Sequence, residues 1–226
     1  MLALALAVLS AGCGACPVHV FLLPGKRALN TLKNRTTVPT AADVDPRVTL
    51  DAMLAPGDDR RRWQHRRAAA VDGYVVRVHD AAPESANCFS GTRLDTHIEL
   101  ARRPDAPPKE RVIVEVTPPM RELAAGRGVD WSTGALRVQL TGRRARIEGW
   151  LLFDGEHDEE SENTRPGHRG NWRATAWEIH PVTAIVRLNP PSAGRATAQS
   201  RSGTVDLAPS SVRSLRAGRA DQGRHR

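Results

Sequence analysis

Five short runs rich in Val, Ile, Tyr and Trp, interrupted once by a helical pattern, constrain this chain more than any other feature. The first three, "DGYVVRVHD", "LDTHIELA" and "RVIVEVTP", are bounded by Pro, Gly, Asp or Asn, as strands are. "PPMRELAAGRG" then opens with Pro and closes on Gly, the asymmetry of a short helix, and "STGALRVQLTG" is ambiguous between strand and helix. "RARIEGWLLFD" and "NWRATAWEIHPVTAIVRL" return to strand character. Three strands, a helical connection and two more strands are the order of a five-stranded, OB-fold-like Greek-key barrel. The predicted fold class is all-β: a barrel over residues 71–188 with a short helix between strands 3 and 4, a flexible N-terminal arm and a disordered C-terminal tail.

The flanks read differently. "MLALALAVLSAGCGAC" is too short and too soon broken by small residues to span a bilayer as a helix. Residues 1–16 therefore read as a signal-peptide or lipoprotein-like segment, with Cys13 after Ser-Ala-Gly as the lipid-anchor candidate. An apolar N terminus buried in the fold is the other reading. Residues 17–70 read as an extended arm with short helices, among them "RVTLDAMLA" and a surface helix or turn in "DDRRRWQHRRAAA". From residue 189 the chain is Pro, Ser, Ala, Gly and Arg with almost no large apolar side chain, a composition that cannot offset the entropy of ordering.

The net charge of +8 suggests a polyanion partner, but its distribution argues against one for the barrel. Residues 71–188 hold 16 basic and 18 acidic side chains, whereas residues 1–70 hold 10 and 5 and residues 189–226 hold 7 and 2. Cys13, Cys16 and Cys88 are the three cysteines, too few for a disulfide framework or a four-Cys zinc site. Outside the cytoplasm Cys88 can pair with Cys16 if that residue survives processing. Otherwise it stands as a solitary thiol.

The series "GYVVRV", "DTHIEL", "VIVEVTP", "IEGWLLFD", "ENTRPG" and "NWRATAWEIHPVTAI" resembles a family of uncharacterised bacterial exported proteins whose shared region looks like an OB-type barrel. The resemblance covers about Val48 to Val186, and "WRATAWEIHPVT" is its most specific segment. Members of that family carry a Cys-Asn-Cys pair where this chain has Ala86-Asn87-Cys88, so a paired-thiol role does not carry over. No established activity comes with the resemblance.

Period-2 alternation places Asp95, His97 and Glu99 on one face of the second strand, and Glu178 and His180 on one face of the fifth. If those faces converge, His97, Glu99, His157 and His180 are candidate ligands for a divalent metal such as zinc, with Glu178 as a base for metal-activated water. The competing reading makes His97 and His180 wall residues bonded to carboxylates or carbonyls. It is favoured at His180, because Pro181 cannot donate to a ladder and must mark an edge, a bulge or a strand end. The loop "DGEHDEESE" would repel phosphates and reads as solvated, and Trp150, Trp172 and Trp177 read as core aromatics before stacking platforms. Two functions follow as expectations. One is an exported, lipid-anchored binding module of the cell envelope that meets an unidentified ligand or envelope protein, with nucleic acid not favoured. The other is a metal-dependent hydrolase or nuclease.

Overall fold

The computed structural model describes residues 24–189. Expectations for Cys13, the signal segment and the Arg-rich tail lie outside them. Five strands form a closed barrel: β1 (Ala68–Asp80), β2 (Thr96–Ala101), β3 (Val112–Val116), β4 (Arg144–Phe153) and β5 (Trp177–Arg187), in the spatial order β1-β2-β3-β5-β4. All neighbouring pairs are antiparallel except β3 and β5, which run parallel with Val114 opposite Ile179.

Alternation sorts each strand into two faces. Ile98 and Leu100 of β2, Val112, Val114 and Val116 of β3, and Trp177 and Ile179 of β5 enter the barrel core. His97, Glu99, Glu115, Glu178 and His180 therefore fall on the opposite face of these three adjacent strands. The connection from β3 to β4 contains two helices, α3 (Pro118–Ala125) and α4 (Thr133–Leu140); "STGALRVQLTG" resolves as helix. Pro118 opens α3, where its missing N–H costs nothing. At α4 the Ser132 side chain accepts from the Ala135 N–H, a regular N-cap, while Leu136 and Leu140 reach the core.

Strand β1 starts at Ala68, earlier than the run beginning at Asp72 suggested. The arm is folded against the barrel from residue 24 onward. It carries α1 (Pro24–Lys33) and the single-turn α2 (Leu50–Met53), whose Leu50 and Met53 join the core. The Arg-rich stretch after Asp58 forms turns instead of a helix. Its conformation is fixed by Asp59, which is fully buried and accepts from Asn163 Nδ2 at 2.8 Å and Thr175 Oγ1 at 2.6 Å. The Asp59 carbonyl also accepts from Trp177 Nε1 at 2.7 Å. Among the described residues no helix is long and apolar enough to cross a membrane.

Pro181 sits where the β4–β5 register shifts, at a cis peptide bond after His180. Gly149 faces this irregularity, and a Cβ there would collide with the Pro181 carbonyl and lie 2.7 Å from Ile179 Cγ2 and 2.9 Å from Val182 Cα. Arg35 donates to the His180 and Leu151 carbonyls, each at 3.2 Å, so the irregular backbone keeps its hydrogen bonds. Gly149→Val is expected to lower stability by at least about 1–3 kcal/mol, the usual cost of overpacking, measured by urea denaturation. An unchanged midpoint would show that the two strands separate more easily than this contact implies.

Candidate functional site

The outward face of β2, β3 and β5 is covered by α1, by the loop carrying Glu84 and Asp95, and by the segment from Asp154 to Arg173. Covering it buries an unusual amount of charge. Asp95, Asp154, Glu178, His180 and Arg173 are fully buried, and Lys33 and Glu115 are each 3% exposed. Such groups persist in a core only when each charge meets an opposite one.

Most of them do. Lys33 donates to Glu84 Oε2 at 2.5 Å and lies 2.9 Å from Asp154 Oδ2. Arg173 Nη2 donates to Glu178 Oε1 at 2.5 Å, and the other Glu178 oxygen is 3.1 Å from His180 Nδ1. His97 and Glu115 are register partners across β2 and β3, and His97 Nε2 lies 2.6 Å from Glu115 Oε1. The second Glu115 oxygen is 3.4 Å from His180 Nδ1.

Eight buried side-chain polar atoms among the described residues have no hydrogen-bond partner, and three of them, Glu84 Oε1, Asp95 Oδ2 and His180 Nε2, belong to residues that group together. Asp95 Oδ2 and His180 Nε2 are 3.6 Å apart, while Asp95 Oδ1 is held by Asn87 Nδ2 at 3.1 Å. One ligand atom from each of Glu84, Asp95, Glu115 and His180 lies within 4.8 Å of the other three. Donors sharing an ion at roughly 2.0–2.4 Å are at most about twice that distance apart, so the group can hold a metal ion.

Electrostatics at the site follow from crowding. Burial lowers the His180 pKa, but Glu115, Glu178 and Asp95 outweigh it and hold the imidazole at about 9. Burial, with Glu115 adding to it, pushes Asp95 well above the usual carboxylate value. At Glu115 burial is overcome by His97, His180 and Lys33, which hold its pKa well down. Lys33 stays charged because Asp154 and Glu84 outweigh its burial.

The sequence-predicted residues separate on inspection. Of His97, Glu99, His157 and His180, the structure places His180 among the four grouped ligands, together with Asp95 from the predicted β2 face. His97 is one carboxylate removed, bonded to Glu115. Glu99 points to a different cluster, accepting from Arg111 Nη1 at 2.7 Å and lying 3.1 Å from His79 Nε2. His157 pairs with Glu160 at 2.9 Å beside the Trp172 ring. Glu178, the candidate base, is enclosed with both oxygens engaged, so it orients His180 and does not face a ligand.

Glu84 and Glu115 escaped the sequence reading. Glu115 had a visible signal, one charge within the apolar "VIVEV"; Glu84 had none. The acidic loop also differs from the solvated loop expected: Asp154 is buried on Lys33, Asp158 meets Arg60 at 3.3 Å, and Glu160 accepts from Trp172 Nε1 at 2.5 Å. Trp177 is a core aromatic, Trp150 bonds the Thr37 carbonyl beneath Arg35, and Trp172 lines a cavity.

That cavity, about 620 Å³, adjoins the four-residue group. Glu84 and Glu115 line both, whereas Asp95 and His180 lie behind them. Cys88, at the left-handed end of the turn Ser85–Asn87, is disulfide-bonded; Cys13 and Cys16 lie outside the described residues. No protein-family model matches the chain, and no curated protein is significantly similar to it.

The Glu99 cluster provides a test by pH. Burial raises the Glu99 pKa, but His79 and Arg111 outweigh it and leave the group below its ordinary value. A depressed carboxylate stabilises the fold above its unfolded pKa of about 4.3 and loses that contribution as pH falls through the folded value. Glu99→Gln is expected to cost about 1–3 kcal/mol at pH 7, with the gap to the parent closing as pH falls below about 4. A gap constant down to pH 3 in denaturant titrations would remove the ionic contribution.

Proposed function

We propose that this chain is an exported binding domain, built on an OB-fold-like barrel, whose buried Glu84, Asp95, Glu115 and His180 hold one divalent metal ion. The observation that carries the reading is the grouping of Glu84, Asp95, Glu115 and His180, each of which offers one ligand atom within 4.8 Å of the other three. Four ligating groups brought this close inside the protein, three of them carboxylates, are accounted for by a cation shared among them. Carboxylates suit Mn and Mg, and the imidazole suits Zn and Fe, so the mixed set points to a first-row divalent ion and away from calcium. The Glu178 contact to His180 Nδ1 supports the same reading, since metal-bound imidazoles commonly give their other nitrogen to a carboxylate.

Export is supported by the apolar start of the sequence, which has the length and small-residue ending of a signal segment. Anchoring through a lipid on Cys13 and a place in the cell envelope are part of the same proposal. Metal-dependent hydrolysis is the second reading, favoured by one observation: Glu84 and Glu115 line a cavity as well as the candidate centre, and a catalytic ion needs such an open side. The acidic walls of that cavity weigh against a bare nucleic-acid strand.

Chelator-treated protein is expected to bind one Mn2+ or Zn2+ per chain by calorimetry. At a hundredfold excess over Kd, binding stabilises the fold by about 2.7 kcal/mol, an upward Tm shift of roughly 5–10 °C. His180→Ala and Asp95→Asn are expected to weaken uptake at least about tenfold. Glu84→Gln, on the partly exposed loop, keeps the test decisive if the buried variants unfold. Absence of uptake by the parent protein, or full uptake by Glu84→Gln together with a folded Asp95→Asn, overturns the proposal.

A further inference from the structure

Building on the metal reading, we infer that the cavity beside Glu84 and Glu115 is the chamber for an uncharged, hydroxyl-rich molecule such as a sugar ring, which completes the coordination of the ion. Its size of about 620 Å³ falls within the range of small-molecule sites, roughly 300–1,000 Å³. The placement of the ligands decides which side of the ion is open. Asp95 and His180 are fully buried behind it, while Glu84 and Glu115 face the cavity, so free coordination positions are directed there.

Charge then selects the class of ligand. A dication among three carboxylates has a formal charge of −1, and the cavity wall carries further carboxylates at Asp80, Glu99, Glu156 and Glu160. An anionic ligand meets the residual negative charge at the ion, and the wall's cations Lys26, Lys33 and Arg77 are already paired with Glu156, Glu84 and Glu99. A cationic one gains little, because the wall carboxylates already have partners: Glu84 has Lys33, Glu99 has Arg111, Glu115 has His97, Glu156 has Lys26 and Glu160 has His157. Asp80 accepts from Thr133 Oγ1 at 2.5 Å. What remains is a wall that carries both acceptors and donors, matched by hydroxyl groups that do both. Trp172, whose ring is in contact with Arg173, His97 and His157, also lines the cavity and gives part of it an apolar surface.

Water-proton relaxation of the Mn2+-loaded protein tests this directly. Exchanging water on the ion is expected to give a relaxivity severalfold above that of a sealed site. A panel of neutral mono- and disaccharides is expected to include members that lower it at least twofold, with inorganic phosphate at equal concentration having no effect. Ala82→Trp, at an exposed wall position that is none of the four ligands, is expected to lower relaxivity and remove the saccharide response while Mn2+ affinity stays within about threefold. Failure to bind Mn2+ at all removes the metal reading itself. Tight binding with the low relaxivity of a water-free ion, no response to any saccharide, or displacement of the water by phosphate overturns the chamber while leaving the metal site intact.

Discussion

Compensation of buried negative charge is the constraint on which the rest of this structure depends. Asp95, Glu115, Asp154 and Glu178 lie within one layer under the covering segments, with Lys33 and Arg173 permanently positive beside them. Stripping a carboxylate of water costs several kcal/mol even after the protein relaxes, so a layer of this kind holds only where each charge is matched closely. The match is made by elements that would otherwise have little reason to be fixed. Lys33 holds the end of α1, Arg173 holds the segment before β5, and Asn87 holds the turn before β2. The arm and the acidic loop are ordered because their charges are needed inside.

Strand existence and order were legible in the sequence because each strand is a short run rich in Val, Ile, Tyr or Trp bounded by turn residues. "DTHIEL" and "WEIHPV" even disclosed which residues share a face. What alternation cannot disclose is which strands are neighbours. The convergence of the β2 and β5 faces was posed only as a condition, and the parallel pairing of Val114 with Ile179 is what sets β3 between them, so that Glu115 becomes the middle of the layer. His97 consequently contacts that carboxylate, and Glu99, two residues farther along, reaches past the layer to Arg111. Glu84 comes from a loop whose path depends on the α1 packing, where Asn30 accepts from Ser85 Oγ at 2.9 Å and Asn34 donates to the Ala86 carbonyl at 2.9 Å. No local pattern encodes such a contact.

Pro181 shows how a local rule and a tertiary requirement coincide. Proline cannot serve the ladder, and the chain uses that position for a register shift opposite Gly149, with Arg35 satisfying the freed carbonyls. The wall reading and the site reading of His180 therefore do not compete. Its backbone belongs to an irregular barrel strand, while its ring belongs to the charge layer, with Nδ1 directed to Glu178 and Nε2 to Asp95.

Assembly of the charge layer from Lys33, Glu84, Asp95, Glu115, Asp154, Arg173 and His180 also has a kinetic meaning. These residues come from seven separate places along the chain, spread over nearly all of the described sequence, and the parallel β3–β5 pairing can form only after α3, α4 and β4 have been bridged. Each closure exacts loop entropy before its contacts give anything back, which makes topologies of this kind slow to reach the native state. Until β5 docks, Glu115 and Asp95 lack the His180 imidazole, and Glu178 has not been brought to the barrel wall. The centre therefore cannot form before β5 has docked on the barrel.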